Sequence, residues 1–512
     1  MAAQTEVEPT VRDTSGFFGH PKGLGPLFFT ELWERFSYYG MRSILILYMT
    51  SAVAQGGLAF DTKQASAIYG WYTMAVYLTA LPGGWIADHL TGARIAVLIG
   101  GIIIAFGHFS MIFHSMPFVF VGMGLIALGT GLLKPNISVM VGNLYRDNDP
   151  RRDSGFSIFY MGINVGAFLG QLVTGYLGER VDWHVGMGAA GVAMLLGLAN
   201  YGLRAKKTLG PIGTLPTRHP DPAVQAKQER NVKTFVVSFI AAVVLLFALT
   251  ATGAIELDAA GIAKYMTYAM VTMAAVFFAF VFVLGKLSGE EKKRVAVIVV
   301  LFVFAAIFWS AFEQAPTALN LFARDFTRRT VGGFEIPATW FQSVNPLLII
   351  VCAPMLAALW VGLAKGRGDL SAPAKFSLGL FLSGIGFMLM IFAANQIVAS
   401  GGTLLVSPWW LVGSYFFQSI GELCLSPVGL SSMTKLSPRK YVGQMMGIWF
   451  LASALGNVIG GRVGGHVDPE KLDQMPKLFT TTTLSLMIAA GILALLIVPI
   501  RRMMRDDTNP LR

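Results

Sequence analysis

The sequence is poor in charged residues and in cysteine. Only 13% of its 512 residues are charged, whereas 54% are apolar; an average soluble domain is about 25% charged. Such a composition excludes a soluble enzyme, a nucleic-acid-binding domain and a disordered protein. Cys352 and Cys424 are the only cysteines and both lie in apolar runs, so no disulfide framework is expected. The short alternating segments of an outer-membrane barrel are also missing.

Long apolar segments dominate the chain instead. Many segments that are nearly free of charge reach the length of about 20 residues that a helix needs to cross a bilayer. The 57 glycines fit this class, because small residues allow membrane helices to approach closely. The sequence therefore predicts an all-α polytopic membrane protein with fourteen transmembrane helices. They are expected near residues 27–53, 65–89, 93–114, 117–143, 154–178, 185–204, 233–254, 264–286, 295–322, 339–363, 374–398, 406–431, 441–464 and 478–500.

The net charge of +11 follows the predicted topology. If both termini are cytoplasmic, most Lys and Arg residues fall in cytoplasmic loops, which is the positive-inside pattern. The basic character is therefore interpreted as topology, and no nucleic-acid partner is expected. One predicted outer loop departs from the pattern, since it carries Arg324, Arg328 and Arg329.

The predicted helices form two sets of six with two additional helices between them. Two six-helix halves with a substrate site between them are the architecture of a secondary transporter. The predicted divisions are a cytoplasmic N-terminal tail (1–26), an N-terminal bundle (27–204), a cytoplasmic linker with an inserted two-helix hairpin (205–294), a C-terminal bundle (295–500) and a cytoplasmic C-terminal tail (501–512).

A few ionisable residues lie inside predicted helices, where charge is costly and usually functional. They are Glu31, Glu34, Arg35, Arg42, Lys134, Glu313 and Glu422. Glu31 and Arg35 are four residues apart and can pair along one helix. We expect Glu34 to pair with Lys134, the only Lys in a hydrophobic segment of the first half. A purely structural ion-pair network remains an alternative reading of this group.

Two carboxylates in the second half have no cation on their own predicted helices. Glu313 lies in the seventh span of the six-plus-six set and Glu422 in the tenth. We therefore regard them as candidate sites for a proton or an ammonium group. His108 and His114, near the end of the third helix, are interpreted as interfacial residues.

These residues belong to several longer sequence motifs. Residues 31–40 read E-L-W-E-R-F-S-Y-Y-G, and residues 159–166 read F-Y-M-G-I-N-V-G. The further elements are Lys134-Pro135-Asn136, Phe312-Glu313-Gln314, Asn345-Pro346 and Gly421-Glu422. Together these motifs resemble those of the proton-dependent oligopeptide transporter family of the major facilitator superfamily, and the resemblance covers roughly residues 25–500. It implies the major facilitator fold and a symporter that imports di- and tripeptides with protons by alternating access.

The resemblance also implies roles for individual residues. Glu31, Glu34, Arg35, Lys134 and Glu313 would couple transport to protons, with no metal or other cofactor. Arg35 and Lys134 would receive the peptide carboxylate, and Glu422 the ammonium group. Asn164 and Asn345 would bind the backbone amide. The remaining expected peptide-site residues are Tyr38, Tyr39, Tyr77, Trp309, Glu313, Ser426 and Trp449.

A looser motif, residues 83–94, joins the second and third helices. Asp88 and Arg94 flank a glycine-containing turn, and a charge pair there would act as a cytoplasmic gate. An ordinary solvated loop is the alternative. The motif is similar to a general facilitator loop, so it bears on the superfamily and not on the substrate.

The sequence departs from some relatives of this family. Residues 64–88 contain no His, whereas some members carry one there for proton handling. The large outer domain of animal members is replaced by about ten residues, 399–408. Together with the inserted helix pair, the missing outer domain indicates a bacterial member. The protein is expected in the cytoplasmic (inner) membrane, in contact with lipid and as a monomer.

Three other functional classes are alternatives to a peptide symporter. The same fold carries nitrate, other anions or metabolites in some relatives, but the Glu422 carboxylate favours a zwitterion. A membrane enzyme is disfavoured, because no His/Cys metal cluster or nucleophile triad is recognisable. A passive channel would need a ring of pore-lining residues.

Overall fold

The computed structural model describes residues 15–146, 149–216, 220–252, 258–365, 370–438 and 441–504. Residues 1–14 of the predicted N-terminal tail and 505–512 of the predicted C-terminal tail lie outside the described residues. Short parts of the predicted linker and hairpin, residues 217–219 and 253–257, also lie outside them.

The described chain is almost entirely helical, which confirms the predicted fold class. The helices are α1 Leu24–Thr50, α2 Thr62–Leu78, α3 Ala80–Ile86, α4 Ala93–Ser110, α5 Met116–Gly142, α6 Arg152–Arg180, α7 Trp183–Thr208, α8 Pro222–Ala251, α9 Ala259–Leu284, α10 Gly289–Phe312, α11 Asn320–Phe326, α12 Val344–Lys365, α13 Ala372–Ala399, α14 Trp409–Leu436, α15 Val442–Gly464 and α16 Gln474–Met504. Within the described residues, ten segments are long and apolar enough to cross a membrane.

Two helices that were predicted as continuous are interrupted. The predicted segment 65–89 is divided into α2 and α3, and the predicted segment 295–322 into α10 and α11. In each case the first helix ends four residues before a proline, at Leu78 before Pro82 and at Phe312 before Pro316. A proline ring clashes with the carbonyl four residues earlier and has no N–H to donate to it. The interruption therefore follows from proline, which hydropathy alone does not register.

A short β-hairpin explains part of the arginine cluster that departs from the charge pattern. Strands β1 (Thr330–Val331) and β2 (Phe334–Glu335) are antiparallel. Gly332 and Gly333 supply the turn with positive φ angles of 57° and 84°. Arg329 forms an ion pair of 2.9 Å with Glu335 and donates to the Ile336 carbonyl at 2.6 Å. The arginine therefore ties the base of the hairpin.

The chain divides into two compact units. Unit 1 comprises Met1–Met41 and Ala75–Ile262, and unit 2 comprises Arg42–Met74 and Ala263–Arg512. Helix α1 therefore contributes its first part to unit 1 and its last part to unit 2. The predicted bundle boundaries, 27–204 and 295–500, stay a prediction.

The core of unit 1 lies among α1, α4, α5 and α7. It contains fully buried aliphatic side chains from each of these helices, including Leu27, Ile104, Ile137 and Met194. In the absence of a hydrophobic driving force from water, such helices associate through close packing in the bilayer. The core therefore holds α1 and α5, which carry the predicted charges of unit 1, in a fixed orientation.

Glycines on α6 allow this helix to approach α1 closely. A Cβ atom at Gly166 would lie 2.2 Å from the Leu32 carbonyl oxygen, and one at Gly170 would lie 2.3 Å from that of Phe36. Only glycine fits such distances, and small residues at a spacing of four are typical of tight membrane-helix contacts. The glycines thus place the charged stretch of α1 directly against α6.

Glycines also allow close helix contact in unit 2. A Cβ atom at Gly456 of α15 would lie 2.4 Å from the Trp309 Cβ, and one at Gly464 would lie 2.4 Å from the Thr317 hydroxyl. Between them, a Cβ at Gly460 would lie 2.9 Å from the Ser310 carbonyl oxygen. Helix α15 therefore lies tightly against the segment that carries Glu313.

Candidate functional site

In unit 1, three charged side chains of α1 form one buried cluster. The Arg35 Nε lies 3.1 Å from a Glu31 carboxylate oxygen, as the spacing of four predicts. Arg35 also pairs with Glu34. All three residues are at most 1% exposed. Two carboxylates thus share one guanidinium, so a further positive charge, from a cation or a proton, would balance the cluster.

Helix α5 contributes two groups near this cluster. The Thr130 hydroxyl donates to a Glu34 oxygen at 3.4 Å. The half-buried Lys134 places its ammonium group 4.8 Å from the centre of the Tyr77 ring, a cation–π distance. The structure therefore brings together two predicted peptide-site residues, Lys134 and Tyr77. The predicted Glu34–Lys134 pair stays a prediction.

Two tyrosines extend the charged stretch of α1. The Tyr38 ring lies 5.4 Å from the Arg35 guanidinium carbon and 5.2 Å from the Tyr39 ring, in an edge-on arrangement. Tyr38 is buried and Tyr39 is half-buried. On α6, the buried Asn164 donates one amide N–H to the Tyr160 carbonyl at 3.0 Å. Its side chain is thus oriented by its own helix.

In unit 2, a second buried ion pair joins α1 to the end of α10. Arg42 Nη2 donates to a Glu313 oxygen, and Arg42 Nε donates to the Tyr69 hydroxyl. The guanidinium carbon also lies 5.6 Å from the Tyr69 ring centre. Arg42 is 7% and Glu313 4% exposed. Glu313 therefore has a cationic partner, which is not on its own helix.

The sequence placed Arg42 among the intramembrane charges but gave it no partner, and it did not single out Tyr69. Arg42 and Glu313 are 271 positions apart. A usable signal existed, because each charge lacked an opposite charge at helical spacing. Two costly and locally unpaired charges of opposite sign favour a mutual pair.

Also in unit 2, the predicted ammonium site has a hydrogen-bonded framework. Asn345 of α12 donates to a Glu422 oxygen at 3.1 Å and to the Ser419 hydroxyl at 2.9 Å. Ser419 donates in turn to the Tyr415 carbonyl of its own helix, α14, at 2.7 Å. The chain of donors orients the half-buried Glu422 carboxylate. Two predicted peptide-site residues, Asn345 and Glu422, thus meet.

The predicted tryptophans are both largely buried. The Trp309 ring lies 5.3 Å from Phe308 and 5.5 Å from Phe312, and its buried indole N–H has no acceptor among the described residues. Trp449 is held against α14, because a Cβ atom at Gly429 would lie 2.1 Å from its ring. Ser426 is half-buried one turn after Glu422. Their contacts with a peptide stay a prediction.

At the motif between α3 and α4, Arg94 is anchored to helix α7 of the same unit. Its guanidinium donates to the carbonyls of Ala205, at 2.6 Å, and Gly210, at 3.0 Å. Asp88 is exposed in the preceding π-helical turn. Arg94 therefore caps the end of a neighbouring helix. The predicted gate formed by Asp88 and Arg94 stays a prediction.

The interpretation of His108 as an interfacial residue is wrong. His108 is 0% exposed, and its Nε2 lies 2.6 Å from the Ser37 hydroxyl of α1. This contact lies within the signature stretch, two residues after Arg35. Hydropathy could not locate it, because the burial of His108 depends on which helix covers it.

Comparisons with known proteins agree with this architecture. A model of the POT family (PTR2) matches residues 94–477. The chain is 45% identical over 496 residues to "Peptide transporter YePEPT" of Yersinia enterocolitica, with 96% of each chain covered. It is 35% identical over 459 residues to "Di-/tripeptide transporter" of Lactococcus lactis subsp. cremoris, covering 87% of this chain and 90% of the relative.

Solved structures match over nearly the whole chain. A crystal structure of a peptide transporter POT in complex with sulfate is 40% identical, with a TM-score of 0.87 and 96% of this chain and 98% of that chain covered. A POT family transporter in complex with 5-aminolevulinic acid is 34% identical, with a TM-score of 0.86 and 95% and 98% covered. These matches confirm the resemblance that the motifs indicated, and the chain belongs to the POT family.

Proposed function

We propose that this protein is a proton-coupled symporter that imports di- and tripeptides across the bacterial cytoplasmic membrane by alternating access, with both termini in the cytoplasm. Relatives named as peptide and di-/tripeptide transporters support this function. The observation that carries this proposal is that the candidate cations and the candidate carboxylate belong to different units. Buried or half-buried cations, Arg35 and Lys134, belong to unit 1, and an oriented carboxylate, Glu422, belongs to unit 2.

Recognition of the peptide follows from its common chemistry. Every short peptide carries a carboxylate, an ammonium group and at least one amide. Arg35 and Lys134 bind the carboxylate, Arg35 with its planar fork. Glu422, held by Asn345, binds the ammonium group. The tyrosines and tryptophans provide apolar walls that accept different side chains.

Proton coupling uses the two buried ion-pair groups. In unit 1, two carboxylates share Arg35, so one of them takes a proton without leaving the guanidinium unpaired. In unit 2, a proton on Glu313 weakens its pair with Arg42 and frees that guanidinium. Each event changes the balance of charge in a buried place, where charge is costly. The proton itself is the coupling ion, and the proposal needs no cofactor, no enzymatic activity and only one copy of the chain.

The rival substrate class is a simple anion such as nitrate. Arg35 and Lys134 would suit it, but Glu422 would not, because a half-buried carboxylate repels an anion. The Asn345–Glu422 hydrogen bond shows that this carboxylate is held in one orientation. A zwitterion therefore fits the site better.

The test is uptake by the purified chain in liposomes with an acidic exterior. Labelled dialanine should accumulate, and labelled nitrate should not. Glu422→Gln should raise the KM for dialanine by about tenfold, since hydrogen bonds to charged groups contribute about 1.5–3 kcal/mol. The same variant should change little for a dipeptide with an acetylated N-terminus. Uptake of nitrate, or no effect of the imposed pH gradient, would contradict the proposal.

A matched control comes from the same helix. Gln418 of α14 donates to the Ser414 hydroxyl at 2.8 Å and belongs to no predicted peptide contact. Gln418→Ala should leave the KM for dialanine within about twofold, because it removes a hydrogen bond of α14 without changing charge.

A further inference from the structure

A crevice with a volume of about 580 Å³ lies between α13 and α16 of unit 2. Both helices belong to segments long and apolar enough to cross the membrane. The volume falls within the range of roughly 300–1,000 Å³ that is typical of ligand sites in proteins. Its walls include Phe381, which is 46% exposed, and Met487. The α13–α16 crevice is therefore open on the outer face of the two helices.

The lining of the crevice is hydrocarbon. Among the described residues that line it, only Ser377 has a polar side chain, and this hydroxyl donates to the Ala490 carbonyl at 2.8 Å. The hydroxyl is thus already engaged between the two helices. A polar ligand would lose its hydration here without gaining hydrogen bonds, which is costly. The lining therefore fits an alkyl chain and not a polar solute.

The room in the crevice comes from small side chains on α16. Gly491 and Ala494 lie on its wall, and a Cβ atom at Gly491 would meet nothing within 4 Å. The glycine is therefore not required for helix contact, unlike those of α6 and α15. A larger side chain at position 491 would point into the crevice without moving the backbone.

The end of α16 gives the crevice a positively charged mouth. Position 501 is seven residues after Ala494 and so lies on the same face of the helix. Arg501 and Arg502 are both exposed in the last turn. Neither α13 nor α16 contains an Asp or Glu. On the expected topology this end is cytoplasmic, where anionic lipid attracts basic residues.

We infer that the α13–α16 crevice binds one acyl chain of an anionic phospholipid whose phosphate group pairs with Arg501. The apolar lining takes the chain, and the cationic mouth selects the headgroup. The acyl chain lies against the open face of two helices that are already packed together, through the Ser377–Ala490 hydrogen bond and through the approach of Met487 to Gly384 among other contacts. This inference concerns the outer face of unit 2 and does not depend on the transported substrate.

The test is native mass spectrometry of the purified full-length chain titrated with palmitoyl-oleoyl phosphatidylglycerol or with phosphatidylcholine of the same chains. The first phosphatidylglycerol should bind about fivefold more tightly than the first phosphatidylcholine, the effect expected of one basic residue near an anionic headgroup. Arg501→Gln should abolish this preference. Gly491→Leu and, independently, Ala494→Leu should weaken the first binding event for both lipids.

Matched controls come from the cytoplasmic end of α7. Gly202 also has nothing within 4 Å of a Cβ position, and Arg204 is exposed in the same way as Arg501. Gly202→Leu and Arg204→Gln should leave both lipid affinities unchanged. Equal affinity of the wild-type chain for the two lipids would overturn the inference. An equal response to Gly491→Leu and Gly202→Leu, as expected of unselective surrounding lipid, would also overturn it.

Discussion

Helix α1 carries two buried ion-pair groups that differ in how their partners are supplied. In unit 1, Arg35 pairs with Glu31 and Glu34 of the same helix. In unit 2, Arg42 pairs with Glu313, which lies 271 positions away. The two arginines are only two turns apart, yet one group is assembled by local spacing and the other by the tertiary fold.

The two groups should respond differently to the loss of a carboxylate. The unit 1 group has two carboxylates for one guanidinium, so loss of one carboxylate leaves Arg35 with a partner. In the unit 2 pair, Glu313 is the carboxylate that contacts Arg42, and the Tyr69 hydroxyl also accepts from this guanidinium. Removing a partner from a buried pair is far costlier than removing the whole pair. The unit 2 pair should therefore be the more sensitive of the two.

The largest effect is expected from Glu313→Gln. The substitution removes the Glu313 carboxylate from the charged and buried Arg42, which costs about 3–5 kcal/mol and corresponds to a factor of about 100 or more in a conformational equilibrium. Uptake of dialanine driven by a pH gradient should fall by about that factor, as measured in liposomes.

The double variant Arg42→Gln with Glu313→Gln is the control for this prediction. It removes both charges, so protein yield and melting temperature should recover relative to the single variant, although proton-driven uptake should not. Equal destabilisation by the single and double variants would show that the pair does not act as a unit.

A smaller effect is expected when the unit 1 group loses one carboxylate. Glu31→Gln leaves the Arg35–Glu34 pair in place. A hydrogen bond to a charged group contributes about 1.5–3 kcal/mol, and a loss at the lower end of this range corresponds to roughly tenfold. Proton-driven uptake should fall by about tenfold, while exchange of dialanine without a gradient should persist. If Glu31→Gln were as damaging as Glu313→Gln, the sharing of Arg35 by two carboxylates would have no functional value.

Ser37→Ala tests whether the hydrogen bond between Ser37 and His108 helps to orient the unit 1 group. The change leaves the buried His108 ring without its Ser37 partner, and one such hydrogen bond contributes about 1 kcal/mol. We expect a melting temperature lower by ~2 °C in detergent and a shift in the pH profile of uptake, because α1 is less firmly oriented. Ser51→Ala is the control, since the Ser51 hydroxyl donates to the Leu47 carbonyl of its own chain segment at 2.7 Å. An unchanged pH profile in Ser37→Ala would limit His108 to packing.

The smallest effect is expected from substitution of His20, which precedes α1 in the chain and belongs to neither ion-pair group. Its Nδ1 lies 2.8 Å from the Tyr145 hydroxyl, and burial raises the pKa of Tyr145 to about 12, so the phenol stays protonated. Burial and the nearby Arg151 lower the pKa of His20, while Asp149 acts in the opposite direction. The unfolded chain then binds more protons than the folded one as the pH falls through the unfolded value of 6.5.

His20 should therefore stabilise the protein above pH 6.5 and do so less at lower pH. The melting temperature of the wild-type protein should include a decrease of ~1 °C between pH 7.5 and 5.5 that is due to His20. This part of the decrease should be absent in His20→Gln. His89→Gln is the comparison, since the His89 ring forms a hydrogen bond with the Trp85 carbonyl of its own helical segment at 3.0 Å. A melting temperature of His20→Gln that falls with pH as much as that of the wild type would contradict this assignment.

Several features of the fold were predictable from the sequence because they depend on local pattern. Apolar runs of bilayer length predict the spans, and the spacing of four predicts the Glu31–Arg35 pair. The interruptions at Pro82 and Pro316 were also encoded locally, but an assignment based on hydropathy misses them because proline alters hydrogen bonding and not polarity.

Other features depend on partners that no local pattern names. The hydrogen bond between Ser37 and His108 needs α4 to pack on α1, and the Asn345–Glu422 bond needs α12 to pack on α14. The sequence marked Asn345 and Glu422 as functional without showing that they meet. It assigned His108 to the interface because the side chain alone does not reveal which helix covers it.

The sequence by itself determined that the chain spans a membrane, that charge inside its helices is rare, and that it carries the motifs of a peptide transporter family. Only the tertiary structure decided that Arg42 pairs with Glu313 and that glycines of α6 and α15 press against the charged helices. The physical reason is that the cost of burying a charge is a property of each residue, whereas the partner that offsets this cost depends on how the whole chain folds.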